Sequence, residues 1–131
     1  MKITDLLKKQ SICLNGKAES KEQVIREMVD LMAKGGNIND IDTYRDTVFK
    51  REEEGTTGIG EGIAIPHGKT EAVSAPGLAA MVLPEGVDYD SLDGEPAYLI
   101  FLIAAPNTED NVHLEVLSRL SMLLMDEDFR N

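Results

Sequence analysis

The sequence predicts a single α/β domain in which helices pack on a mostly buried β-sheet. Its length of 131 residues is that of one compact domain. Segments with apolar residues at helical spacing alternate along the chain with short apolar segments of strand length. The longest of these strand-length segments, 97–105, is apolar almost throughout, which is typical of a central strand covered on both faces. This alternation favours a sheet with helices packed on it.

Two helices are predicted from apolar spacing and from signals at their ends. The first runs from 21 to 34, with Ser20 as a candidate N-cap and glycines after its last residue. The second runs from 43 to 54, with Asp42 as a candidate N-cap and Gly55 at its end. Tyr44, Val48 and Phe49 are expected to face inward from the second helix.

The rest of the chain is divided by glycine and proline. Residues 55–62 contain four glycines in eight positions, so we predict a loop there. Strands are predicted at 62–65, which Pro66 closes, and at 78–83 and 97–105. A last helix is predicted from about residue 112 to residue 125.

Charge and composition exclude several classes of function. Thirteen basic residues against 24 acidic ones give a net charge of −11, which opposes binding to nucleic acid or to anionic lipid. We find no apolar run of the roughly 20 residues that a membrane helix needs, and no signal peptide, so a cytoplasmic domain without membrane insertion is predicted. The single Cys13 is expected in the core. One cysteine and two histidines exclude a structural zinc cluster.

His67 is the first candidate for chemistry. It follows a predicted buried strand and lies between Pro66 and Gly68, so its ring is expected to be rigidly held and accessible at a turn. A neutral imidazole in such a position is a nucleophile near neutral pH. The alternative is a turn histidine that serves only to make a backbone hydrogen bond.

His113 and Arg51 are the second and third candidates. His113 lies in the opening turn of the last predicted helix, after a strand that we expect to neighbour the strand before His67. Arg51 directly precedes the glycine-rich segment, and a guanidinium group matches the geometry of phosphate oxygens. The alternatives are a capping or solvent-facing histidine and an arginine on a solvated helix end.

The segment from Thr57 to Lys69, TGIGEGIAIPHGK, resembles the active-site segment of the fructose/mannitol-type EIIA domains of the bacterial phosphotransferase system. The resemblance continues through 101–106 and through His113 with the leucines that follow it. It implies a mixed sheet with helices on both faces, and a domain over 1–131 that lacks a C-terminal segment, because the family normally continues into a further helix.

The resemblance also implies a phosphoryl carrier that needs no cofactor and no metal. His67 would accept a phosphoryl group from the phosphocarrier protein HPr and pass it to a cysteine of an EIIB domain, for a sugar, with fructose favoured, that enters through the IIC membrane domain. His113 would support the phosphorylated ring, Arg51 would stabilise the phosphoryl oxygens, and Glu61 would lie near the site in a role left open. Two alternatives remain, a nitrogen-type or regulator-linked EIIA domain and a binding domain without phosphoryl chemistry.

Overall fold

The computed structural model describes residues 7–75 and 77–106, with side chains from residue 11 onward. Two helices and six strands lie in this part of the chain. The helices are α1 (Lys21–Ala33) and α2 (Ile41–Glu54). The strands are β1 (Leu7–Cys13), β2 (Gly58–Gly60), β3 (Ile63–Ala64), β4 (His67–Thr70), β5 (Gly77–Val87) and β6 (Ala97–Pro106).

The six strands form one mixed sheet centred on β6. The strand order is β1-β5-β6-β3-β2, and β4 pairs with β6 beyond the end of β3. Strands β3 and β4 run parallel to β6, whereas β5 runs antiparallel to it. The predicted α/β class with a mixed sheet is therefore confirmed.

Both helices pack on the same face of this sheet and on each other. The residues of β6 alternate between the two faces, as in any strand. Ile100, Leu102 and Ala104 join the core beneath the helices, while Phe101 and Ile103 are buried on the other side. The expectation that 97–105 forms a central strand buried on both faces is thus confirmed. The last predicted helix, 112–125, lies outside the described residues.

The helix ends correct one prediction. Ser20 caps α1 as expected, and its hydroxyl accepts a hydrogen bond from the Gln23 N–H at 3.2 Å. The N-cap of α2 is Asp40 and not Asp42, so this helix begins two residues earlier than predicted. The Asp40 carboxylate accepts from both the N–H and the hydroxyl of Thr43. Two aspartates compete for this position, and the side-chain partner Thr43 favours the earlier one.

The observed strands differ from the predicted ones in three further ways. Within the glycine-rich segment predicted as a loop, Gly58–Gly60 forms β2, because it pairs with β3 in a hairpin. Gly58 is required there, since a Cβ would lie 2.5 Å from the Ser91 hydroxyl. Strand β1 was not predicted, although the burial expected for Cys13 agrees in part with its half-buried position. Strand β5 extends four residues beyond the predicted end at Leu83.

Among the described residues, no helix combines the length and the apolar character needed to cross a membrane.

Candidate functional site

His67 is the first residue of β4 rather than a residue in a turn, so the predicted turn is wrong. It pairs with Ile103 of β6, and the Ile103 N–H donates to the carbonyl of Pro66 at 3.1 Å. Pro66 lies between β3 and β4 and interrupts the strand. The chain pairs with β6 again from His67 onward. The imidazole is half-buried, and its Nδ1 lies 3.2 Å from the Ile65 carbonyl oxygen.

The contact with Ile65 decides which ring nitrogen carries the proton. A carbonyl oxygen can only accept a hydrogen bond, so Nδ1 must donate. In the neutral imidazole the lone pair then lies on Nε2. This contact therefore fixes both the orientation of the ring and the nitrogen that can act as a nucleophile.

The surroundings of His67 keep its ring neutral near pH 7. Burial lowers the pKa of the imidazole below its ordinary value, because the charged form loses hydration. The hydrogen bond to Ile65 and the negative charge of Glu52 raise this pKa, whereas the positive charge of Arg51 lowers it. The net direction is downward, which favours the nucleophilic form.

Arg51 lies in the last turn of α2, within electrostatic range of His67. Its side chain is half-buried, and Nη1 donates to the carbonyl of Gly55 at 2.9 Å, just beyond the helix end. This bond holds the arginine at the end of α2. The structure thus brings together two of the predicted site residues, Arg51 and His67.

The contact between α2 and β4 sets the relative position of these two residues. The Tyr44 hydroxyl, buried in the core, donates to the Ile103 carbonyl at 2.8 Å, at the position that pairs with His67. Gly68 allows the helix to come this close, because a Cβ there would lie 3.0 Å from both Tyr44 and Val48. The predicted burial of Tyr44 and Val48 is confirmed.

Glu61 precedes β3, whereas His67 follows the other end of that strand. It occupies the exposed tip of the β2–β3 hairpin with a positive φ of 57°, and its N–H donates to Asp93 at 2.9 Å. Ile63, two residues after Glu61, pairs with Leu99, four residues before the partner of His67 along β6. Four strand residues span about 13 Å. The backbone of Glu61 and that of His67 therefore lie at opposite ends of β3, and a role for Glu61 at the site stays a prediction.

His113 lies outside the described residues, and so does its predicted meeting with His67. The premise of that prediction can be checked, because it requires the strand before His67 to neighbour the strand before His113. Strands β3 and β6 are parallel hydrogen-bonded neighbours, with Ile63 paired to Leu99 and Ala64 to Ile100. That premise is confirmed.

Sequence reasoning missed a buried carboxylate beside Arg51. Glu52 is 9% exposed and accepts hydrogen bonds from Thr57 and from the Tyr89 hydroxyl, and Lys21 lies 2.8 Å from it. The missed signal is its spacing: Tyr44, Val48 and Glu52 follow each other at four-residue intervals on the buried face of α2.

Comparison with known proteins gives the family. The model for the phosphoenolpyruvate-dependent sugar phosphotransferase system, EIIA 2, matches residues 5–131. The fructose-specific EIIABC component of Bacillus subtilis is 53% identical over 130 residues. That match covers 99% of this chain and 20% of the relative, so the chain spans about a fifth of its length.

Two solved structures share the fold. Nitrogen regulatory protein IIA-Ntr from Neisseria meningitidis has a TM-score of 0.88 and 32% identity over 98% of this chain and 87% of that one. The mannitol enzyme IIA of Escherichia coli, determined in complex with phosphorylated enzyme IIB, has a TM-score of 0.79 and 34% identity over 94% of this chain and 85% of that one. The chain is therefore an EIIA domain and belongs to the EIIA 2 family of the sugar phosphotransferase system.

Proposed function

We propose that this domain carries a phosphoryl group on His67 between two proteins of a sugar phosphotransferase system. The observation that carries the proposal is the imidazole itself. Its Nδ1 proton is held by the Ile65 carbonyl, its pKa is lowered by burial, and Arg51 lies within electrostatic range. A neutral, oriented ring next to a permanent cation suits the acceptance of a phosphoryl group.

The transfer needs no proton to leave His67. The Nε2 lone pair forms the new P–N bond as the bond between phosphorus and the donor breaks, and that electron pair departs with the donor. In the second step a thiolate of the receiving protein attacks phosphorus, a P–S bond forms, and the electron pair of the P–N bond returns to Nε2. The proton stays on Nδ1 throughout, and Nδ1 keeps donating its hydrogen bond to the Ile65 carbonyl.

Arg51 is the described residue suited to stabilise the transferring group. Charge on the three equatorial oxygens is relieved by donors fixed before the reaction begins, and a guanidinium fork presents two N–H groups to a phosphoryl oxygen pair. We assign His113 a supporting role toward the phosphorylated ring, as the family resemblance implies. Neither role requires a metal ion or a cofactor.

The proposed donor is HPr, and the proposed acceptor is a cysteine of an EIIB domain that serves a IIC membrane domain. Fructose is the sugar that we propose, because the B. subtilis relative is fructose-specific and 53% identical. An EIIB domain as partner agrees with the E. coli complex of a related EIIA domain with its phosphorylated IIB. A cytoplasmic location follows from these partners.

A regulatory role is the second candidate, favoured by the close structural similarity to a nitrogen regulatory protein. Its phosphoryl chemistry on His67 would be the same, and only the receiver would differ. The two roles separate at the second transfer step, since a transport domain must deliver its phosphoryl group to an EIIB cysteine.

The test is a two-step transfer assay. Phosphoenolpyruvate, Enzyme I and HPr should label the domain with one acid-labile, base-stable phosphoryl group, and a purified fructose-type EIIB domain should then remove it. Labelling without transfer to EIIB would favour the regulatory role. Failure of labelling would refute phosphoryl chemistry and leave a binding domain.

A further inference from the structure

The carboxylate of Glu52 joins four segments of the chain in one buried cluster. Oε2 accepts from the Thr57 N–H at 3.2 Å and lies 2.8 Å from Lys21 Nζ at the start of α1. Oε1 accepts from the hydroxyls of Thr57 and Tyr89, the latter at 3.2 Å. Lys21 also lies 4.8 Å above the Tyr89 ring. Glu52, in the last turn of α2, thus has its charge paired and both oxygens occupied.

The cluster is connected to His67 through the backbone. Thr57, held twice by Glu52, accepts a hydrogen bond at its carbonyl from the Ile65 N–H at 2.9 Å. The Ile65 carbonyl in turn accepts from Nδ1 of His67 at 3.2 Å. Three successive hydrogen-bonded steps therefore lead from the Glu52 carboxylate to the ring nitrogen whose proton defines the reactive tautomer.

The same helix carries the cation of the site. Arg51 directly precedes Glu52, and its guanidinium is fixed at the helix end by the Gly55 carbonyl. Helix α2 therefore positions Arg51 directly and positions the strand before His67 through Glu52 and Thr57. A shift of Thr57 would therefore move the Ile65 carbonyl relative to the His67 ring.

We propose that Glu52 is a positioning residue for phosphoryl transfer, which holds the His67 imidazole in its Nδ1–H tautomer and its orientation through Thr57 and Ile65. The inference rests on the proposed function of His67, but its structural half does not need a phosphoryl donor to be tested. Glu52 touches neither the imidazole nor, in this account, the phosphoryl group.

The central variant is Glu52→Met, which keeps the length of the side chain and removes its acceptors. We expect the ¹⁵N NMR signals of His67 to show a shift from the Nδ1–H toward the Nε2–H tautomer. The rate of phosphoryl acceptance from phosphorylated HPr should fall by about tenfold, because a misoriented nucleophile loses transition-state stabilisation. Denaturant titration gives the folded fraction of each variant. The tautomer and the rate are then compared at equal fractions of folded protein.

Glu52→Gln is the conservative rescue. Its carbonyl can take the place of Oε2 and accept from the Thr57 N–H, while its NH₂ group donates to the two hydroxyls, which accept as readily as they donate. Tautomer and rate should both return close to those of the wild type. A glutamine variant as impaired as the methionine variant would overturn the proposal, because the effect would then belong to charge and not to the anchor.

Glu53→Met is the matched control, since it makes the same change one residue later at an exposed position. It should leave tautomer and rate unchanged. If Glu52→Met does not fold, Thr57→Val removes one of the two anchors and Thr57→Ser restores it, with the same expected order.

Two outcomes separate this inference from the proposed function. A Glu52→Met domain with the wild-type tautomer and the wild-type rate would refute the inference while phosphoryl transfer on His67 stood. A wild-type domain that takes up no phosphoryl group would refute the proposed function, and the dependence of the tautomer on Glu52 would still support the positioning of the ring.

Discussion

At the scale of single residues, the proposed chemistry depends on the environment of the His67 imidazole. The ring is partly withdrawn from water, which disfavours its charged form, while the Ile65 carbonyl fixes its proton on Nδ1. Arg51 adds to the downward shift of the pKa and Glu52 opposes it. The result is a neutral, oriented imidazole, as the proposed role of His67 as a nucleophile requires.

The first prediction concerns pH. The pKa of His67 lies below that of a solvent-exposed histidine, about 6.5, so the ring should remain neutral as the pH falls through that value. Between the folded and unfolded pKa values the unfolded chain binds more protons, so His67 makes the fold less stable as pH falls through this window. An NMR titration of the ring protons measures the shift. A midpoint at or above 6.5 would contradict it.

The second prediction concerns Arg51. Arg51→Ala should lower the rate of phosphoryl acceptance by about a hundredfold, as loss of a preorganised donor to a transition-state oxygen does. Arg51→Lys should be intermediate, because it keeps the charge and loses the fork. Lys50→Ala removes the same charge from the exposed preceding residue and should leave the rate unchanged. Equal losses in the variants of residues 50 and 51 would assign the effect to net charge alone.

The third prediction concerns Glu61. Glu61 lies at the hairpin tip, at the end of β3 that is remote from His67. We therefore expect Glu61→Gln to change the transfer rate by no more than about twofold. Its hydrogen bond to Asp93 uses the backbone N–H, which the substitution leaves intact. A collapse of the rate would show that Glu61 acts on the reaction after all.

At the scale of elements, the site is built where α2 packs on β4. Gly68 and Tyr44 set the distance between the helix that carries Arg51 and the strand that carries His67. Tyr44 and Val48 are both buried without measurable exposure, so neither can move aside easily. Because of this close packing, the position of α2 determines where Arg51 lies relative to His67.

The fourth prediction tests that packing. Gly68→Ala places a methyl group 3.0 Å from Tyr44 and from Val48. We expect the free energy of unfolding to fall by about 1–3 kcal/mol, as for other overpacked cores. The transfer rate of the folded fraction should fall as well, because Arg51 and His67 move apart. Denaturant titration with a parallel transfer assay checks both, and a wild-type result in both would contradict the proposed contact.

The elements also show where sequence reasoning reached its limit. The two helices and β6 have strong periodicity or strong apolarity, so they were predictable, and the motif around His67 pointed to the proposed nucleophile. Strand β2 was not predictable, because three residues of the composition Gly-Ile-Gly become a strand only by pairing with β3. Glu52 was missed for a similar reason, since its buried position is set by partners 31 and 37 residues distant, Lys21 and Tyr89.

At the scale of the whole molecule, charge constrains the encounter with partners. A net charge of −11 on 131 residues favours docking faces that are positive and opposes association with acidic surfaces. In the proposed function the domain meets both a phosphoryl donor and a receiver, each for a short time. Electrostatic steering raises the rate of such encounters without requiring a tight complex.

The fifth prediction follows from that charge. The second-order rate of transfer from phosphorylated HPr should fall by about tenfold from low to high ionic strength, because salt screens the steering field. The rate of release of a bound phosphoryl group should change far less. Stopped-flow measurements over a salt series test this, and a transfer rate independent of salt would contradict a steering role for the acidic surface.

The most direct test of the central claim is to locate the phosphoryl group. After incubation with phosphoenolpyruvate, Enzyme I and HPr, peptide mapping at alkaline pH by mass spectrometry should place one phosphoryl group on His67, and ³¹P–¹⁵N coupling should place it on Nε2. The His67→Ala variant should take up none. A phosphoryl group on any other residue of the wild type, or undiminished uptake by the alanine variant, would contradict the account.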